Sequence, residues 1–395
     1  MVFVLMGVAL YTVLAGADFG AGFWQLVAGR GEHADRVREH AHHSLAPVWE
    51  ANHVWLIFVL TVFWTAYPKA FGSIASTLAV VLSGALLGII FRGAAYALRT
   101  GAFSARESSV IDTIFSLSSV LTPFTLGAAV GAIATNRVPV GNASGHLFSS
   151  WLNGTSIFIG ILAVVSCAYL AAVYLAADAA RDGQPELERS FRLRALGAGV
   201  VAGALSVGGI FIVNADNHPL FHSLMSGRAL AGVVVSFVAG LATLALVYGR
   251  RYEPARYGAA VAVAAVIAGW ALSRWPTILP GLTVHQAAAG HDALVWVIAA
   301  VLGGGAILFP ALGLLFRLAV TGRFRAAEIE APEGVRPGLR GVRPRLLARS
   351  AVACLIVGFG LLNIADARWA HGVGVVCLLS FVVLGFRAIV FRAIT

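Results

Sequence analysis

Two carboxylates, Asp18 and Glu50, lie inside long apolar runs of a chain that otherwise keeps its acids near the ends of such runs. A charge at the bilayer centre costs on the order of 3 kcal/mol on insertion scales, so it persists where it is paired, hydrated or used. Asp18 stands about ten residues before the inner end of its run, which at ~1.5 Å per residue is close to mid-membrane. No basic residue lies near it in sequence. Glu50 follows Pro47 by about a turn, among Trp49, Asn52, His53 and Trp55, and His53 falls on the same helical face at i+3. Arg92, in the third apolar run, sits at a depth comparable to Glu50 and is its natural counter-charge. Carboxylates whose proton affinity is tuned by desolvation and a neighbouring cation can take up and release protons repeatedly. Glu50, Asp18, His53 and Arg92 therefore read as a proton path from the cytoplasm. Glu50 and Arg92 read also as a structural pair tying two helices together, and that alternative stays open.

The elements that hold these groups follow from composition. Of 395 residues, 59% are hydrophobic and 12% charged, against about a quarter charged in soluble domains. A water-soluble fold is excluded. Runs long enough to cross a bilayer lie at roughly 2–28, 45–66, 71–98, 110–134, 151–177, 193–213, 228–248, 257–273, 293–316, 349–365 and 370–391. These eleven candidate spans make an all-α polytopic membrane protein. Of the 28 Lys and Arg residues, 23 fall in alternate gaps and the tail, and 5 in the gaps between. The positive-inside rule then places the N-terminus outside and the C-terminus in the cytoplasm. The segment 326–348, rich in Arg, Pro and Gly, is a basic linker. It separates a nine-span body, 1–325, from a transmembrane hairpin, 349–395.

The net charge of +10 does not imply nucleic acid, because the arginines lie in short gaps between apolar runs rather than on one solvated face. Cys167, Cys354 and Cys377 sit inside apolar runs and offer neither metal-ligand spacing nor a disulfide framework. His33, His40, His42 and His43 read as a solvated cluster in the first inner loop. A low-spin haem of the His/Met kind also wants a buried methionine, and after Met1 and Met6 the chain has only Met225, in an outer loop. No haem or metal is therefore expected in this chain. The opening residues read as a full-length span rather than a cleavable signal. In the first span Gly16, Gly20 and Gly22 give the small-residue spacing that lets helices approach closely.

Several of these stretches resemble subunit II of the cytochrome bd quinol oxidases. The likeness rests on G-x-D-F-G-x-G (Gly16, Asp18, Phe19, Gly20, Gly22) and on P-x-W-E-x-N-x-x-W-L (Pro47, Trp49, Glu50, Asn52, Trp55, Leu56). Trp64, Ala66, Pro68, Phe91-Arg92, Thr122-Pro123, Gly127, Leu152-Asn153, Trp275-Pro276 and Leu279-Pro280 also fit, so coverage is about 1–325. The resemblance implies two four-helix bundles plus a peripheral helix. It implies a similarly folded subunit I as partner, carrying the b and d haems and the quinol site. The complex would oxidise quinol, reduce oxygen to water and draw protons from the cytoplasm, with this subunit haem-free. The proton-path acid then falls to Glu50, and Asp18 matches the first-span aspartate. Small single-span subunits and a structurally bound quinone are compatible with it. Three departures stand out: Ala15 occupies a position that is often acidic, His53 one that is often Glu or Gln, and 326–395 has no counterpart. By physics alone a proton-coupled secondary transporter also accommodates intramembrane acids, although no matched pair of broken spans is evident.

Overall fold

The computed structural model describes residues 1–99, 105–320, 342–364 and 367–394. Side chains are described throughout these stretches except at 42–51, 99, 105–106, 312–320, 342–346, 348, 359–360, 362–364, 368, 371 and 385–394. The chain divides into two compact units, Met1–Gly305 and Ala306–Thr395.

Within the first unit the helices are α1 (Val2–Leu26), α2 (Glu32–Ala66), α3 (Pro68–Thr77), α4 (Ala79–Arg99), α5 (Ala105–Ala134), α6 (Gly154–Arg181), α7 (Pro185–Asp216), α8 (His218–Leu224), α9 (Gly227–Tyr248) and α10 (Tyr252–Arg274). Then come strands β1 (Thr277–Leu279) and β2 (Leu282–Thr283), the single turn α11 (Val284–Ala287) and the start of α12 (His291–Val320). Among the described residues, eight helices are long and apolar enough to cross a membrane, and nine if the bent pair of α2 and α3 counts as one. At ~1.5 Å per residue, the 25 residues of α1 exceed the ~30 Å hydrocarbon core.

Local chemistry sets the helix ends. Asn153 caps α6, its side chain accepting from Ser156 N–H at 3.0 Å, and Asn217 caps α8 in the same way through Leu220 N–H. Pro68 and Pro185 occupy first-turn positions of α3 and α7, where a missing N–H costs no helical bond. The chain turns by 119° between α2 and α3, and Tyr67 lies at the break. Thr283 and Gln286 form a reciprocal capping box at α11.

The main helix pairs are α1 with α2, α4 with α5, α6 with α7 and α9 with α10; α5 packs on α6, and α1 joins them through α5, α6 and α10. One core lies between α1, the inner part of α2, α6, α7, α9 and α10, built on Leu170, Leu175, Leu187 and Phe191. A second gathers α2, α3, α5 and the β1–β2 hairpin around Leu78, Val81 and Leu279. Ion pairs cross between helices here: Arg256 of α10 pairs with Asp178 of α6, and Arg181 of α6 with Glu253 of α10 at 2.7 Å.

Two readings need correction. The run at 71–98 is not one helix: it starts earlier, at Pro68, and is interrupted at Leu78, where α3 ends. Hydropathy does not register a one-residue interruption inside an apolar stretch. The first inner loop is short, because α2 begins at Glu32, with Glu32 and Asp35 in its first turn to favour the positive end of the helix dipole. His40 is therefore buried rather than solvated, its Nε2 3.1 Å from the Leu175 carbonyl, whereas the side chains of His42 and His43 lie outside those described. After α10 ends at Arg274, the stretch 275–281 holds β1 and the turn that leads into β2.

In the second unit α13 (Val342–Ile364) packs on α14 (Arg368–Ile394) as a helical hairpin. A Cβ built on Gly358 would lie 2.9 Å from the Gly374 carbonyl, so the two backbones nearly touch.

Candidate functional site

Asp18 is on α1, in a segment from Ala15 to Gly22 that is buried throughout. Small residues make that possible. A Cβ on Gly20 would lie 1.9 Å from the Cys167 carbonyl oxygen of α6, and one on Gly22 would lie 2.2 Å from Ser119 Oγ of α5. One on Gly16 would meet Leu170 at 3.1 Å. The glycines thus draw α5 and α6 onto the helix that carries Asp18.

Arg92, on α4, is fully buried. Its Nη2 donates to Asp18 Oδ1 at 2.6 Å and to the Asp18 carbonyl at 3.1 Å, and its Nη1 donates to Ser119 Oγ at 2.7 Å. The Phe19 and Phe115 rings lie 4.9 and 4.3 Å from the guanidinium carbon, so its faces are in cation–π contact. Ser119 in turn donates to the Phe115 carbonyl at 2.6 Å. Pro123, one turn further along α5, has no N–H to offer the Ser119 carbonyl, so the helix is locally unlatched beside the guanidinium. A buried cation and anion in such geometry compensate each other where neither alone is tolerated.

Asn52 of α2 is fully buried and donates to the Leu14 carbonyl at 3.3 Å, fixing α2 against α1. His53 lies within electrostatic range of the Asp18 carboxylate, and the Asn52 side chain within hydrogen-bonding reach of it. Trp55 packs with Tyr11, Ala15, Phe19 and Cys167 in a small apolar cluster under the pair.

The structure therefore brings together Asp18, Arg92, Asn52, His53, Trp55, Gly16, Gly20 and Gly22. The basic partner that Asp18 lacks locally is Arg92, the residue that sequence position suggested for Glu50. The side chains of Glu50 and Trp49 lie outside those described, although the backbone of both is within α2. Sequence reasoning missed Ser119, Phe115 and Tyr11. The only sequence signal for Ser119 is its place in a run of buried hydroxyl residues, Ser116, Ser118, Ser119 and Thr122.

Among the described residues no three His, Cys, Asp or Glu gather to hold a metal ion, and the buried His40 ring is engaged by a backbone carbonyl.

The family model for cytochrome bd terminal oxidase subunit II matches residues 1–319. The putative cytochrome bd menaquinol oxidase subunit II of Bacillus subtilis is 24% identical over 241 residues, 60% of this chain and 68% of that one. Cytochrome bd-I ubiquinol oxidase subunit 2 of Escherichia coli is 27% identical over 180 residues, 43% of this chain and 46% of the relative, so the match spans about half of that protein. A chain in the structure of bd oxidase from Geobacillus thermodenitrificans superposes with a TM-score of 0.61 at 25% identity, covering 81% of this chain and 99% of that one. This chain, matched over more than three quarters of its length by that model, belongs to the cytochrome bd terminal oxidase subunit II family.

Proposed function

We propose that this chain is the haem-free membrane subunit of a quinol-oxidising terminal oxidase, and that it carries protons from the cytoplasm towards oxygen reduction in a haem-bearing partner subunit. The partner's haems supply the electron transfer and oxygen chemistry. This chain's own residues move and stabilise protons. Glu50, about a turn inside its span, is the entry acid, and His53 on the same face is a second titratable group. Asp18 and Arg92 form a neutral, deeply buried pair beside which a transferred proton meets compensated charge rather than bare lipid.

The observation that carries this reading is the Asp18–Arg92 pair itself: a carboxylate 4% exposed, with one oxygen bound to Arg92 and the other, Oδ2, without a hydrogen-bond partner among the described residues. A purely structural acid in this place would have both oxygens satisfied. Orientation follows the arginine distribution, with the N-terminus outside and the C-terminus in the cytoplasm.

The test uses the assembled oxidase with Glu50→Gln and Asp18→Asn. Each variant is expected to slow quinol-driven oxygen consumption and oxygen-linked proton uptake together while the haem spectrum of the complex is retained. Normal turnover and normal proton uptake in both variants would leave a structural subunit only.

A further inference from the structure

Around the ion pair, four buried polar atoms have no hydrogen-bond partner among the described residues: Tyr11 Oη, Asp18 Oδ2, Asn52 Oδ1 and Arg92 Nε. They come from three helices. Tyr11 and Asp18 are on α1, Asn52 on α2 and Arg92 on α4. Tyr11 and Asp18 are seven residues apart, two helical turns, and so share a face. Tyr11, Asp18 and Arg92 lie within electrostatic range of one another, and the Asn52 side chain within hydrogen-bonding reach of Asp18.

Single orphaned atoms occur in many folds, but four around one point call for a common explanation. Buried polar groups are nearly always hydrogen-bonded, and where protein partners are missing the partner is ordered water. Bulk solvent does not reach the group, since Tyr11 is 8% exposed and Asn52 and Arg92 are 0% exposed. The chemistry suits a bridging water: Arg92 Nε donates, Asp18 Oδ2 and Asn52 Oδ1 accept, and the Tyr11 phenol does both. A water that accepts from Nε has two protons to give, one for each acceptor. A second can join this set to the phenol.

We propose that Tyr11, Asn52, Asp18 and Arg92 line an internal water-binding site, in which Tyr11 is the positioning residue that fixes the orientation of the bound water. The role of the site rests on the proton-path reading above. A proton arriving on one side of a bound water is matched by one leaving on the other, so charge crosses the site with no net change in covalent bonds. The phenol holds the chain of waters in register as this happens.

Two measurements on the assembled oxidase test it. In a cryo-EM map fine enough to show waters, at least one ordered water is expected within about 3.2 Å of Asp18 Oδ2, with Tyr11 Oη bonded to it or to its neighbour. Direct pairing of the four atoms with one another, or a dry site, overturns the proposal. Tyr11→Phe keeps the ring and its packing, so it is expected to assemble normally while turnover falls several-fold and the solvent deuterium isotope effect on turnover rises. A Tyr11→Phe enzyme with turnover and isotope effect unchanged also overturns it. Asp18→Asn, run alongside, separates the two ideas. Slow Asp18→Asn with normal Tyr11→Phe sinks the water site alone, whereas Asp18→Asn at full turnover sinks the proton path on which it rests.

Discussion

Arg92 and Asp18 are 74 residues apart in the chain and 2.6 Å apart in space. The guanidinium is oriented on four sides, by the carboxylate, the Ser119 hydroxyl and two aromatic faces. It thereby binds α4 to α1 and α5 at once. Three hydrogen bonds engage its Nη1 and Nη2, while Arg92 Nε and Asp18 Oδ2 have no hydrogen-bond partner among the described residues.

Removing the cation alone strands the anion. Arg92→Met is expected to destabilise the protein by about 3–5 kcal/mol, since breaking a buried pair leaves one uncompensated charge. The double variant Arg92→Met/Asp18→Asn is expected to recover part of that loss. Thermal unfolding of the purified complex, followed by loss of the haem spectrum, reads both. Equal midpoints for the single and double variants would contradict a pairwise interaction.

Glycine substitutions separate close packing from mere helix composition. Gly20→Ala puts a methyl 1.9 Å from a backbone oxygen, which no rotamer change relieves, and is expected to abolish assembly. Gly197→Ala meets nothing within 4 Å and is expected to be neutral or to stabilise by up to about 1 kcal/mol through helix propensity. Yield of intact complex on a native gel distinguishes them.

The inside-positive arginine pattern makes the sides of the membrane testable. In intact cells an impermeant thiol reagent is expected to label Ser144→Cys, in the segment between α5 and α6. Gln184→Cys, between α6 and α7, is expected to react only after permeabilisation. The opposite pattern would invert the orientation and, with it, the cytoplasmic origin of the proton path.

The family likeness ends at residue 319, and α13 and α14 pack on each other. Deleting 333–395 is expected to leave oxidase turnover largely intact while lowering the thermal stability of the assembled complex. Complete loss of assembly would instead make the hairpin an essential part of the oxidase.

Much of this was legible in the residues. Hydropathy placed the principal helices, and the glycine spacing around Asp18 foretold close contacts. What could not be read was partnership. Nothing in a one-dimensional pattern tells Arg92 whether its counter-charge is in the first helix or the second, because both acids lie at suitable depths. The outcome depends on which helix the glycines admit. Tyr11 was overlooked because a tyrosine among apolar residues looks like a packing group until its hydroxyl is seen to have no partner among the described residues. The β1–β2 hairpin escaped notice because strands of three and two residues carry no periodicity to detect.

The contact at Gly20 also bears on how the molecule can work. With the α1 backbone seated against the carbonyl of Cys167, and Gly22 seated against Ser119, the helix bearing Asp18 is clamped on two sides. Alternating access, as a transporter practises it, asks one group of helices to rock against another through just such a seam. A clamped scaffold instead leaves motion to the smallest movers, hydroxyl rotors and solvent molecules, and these are the movers that the proposed proton path requires.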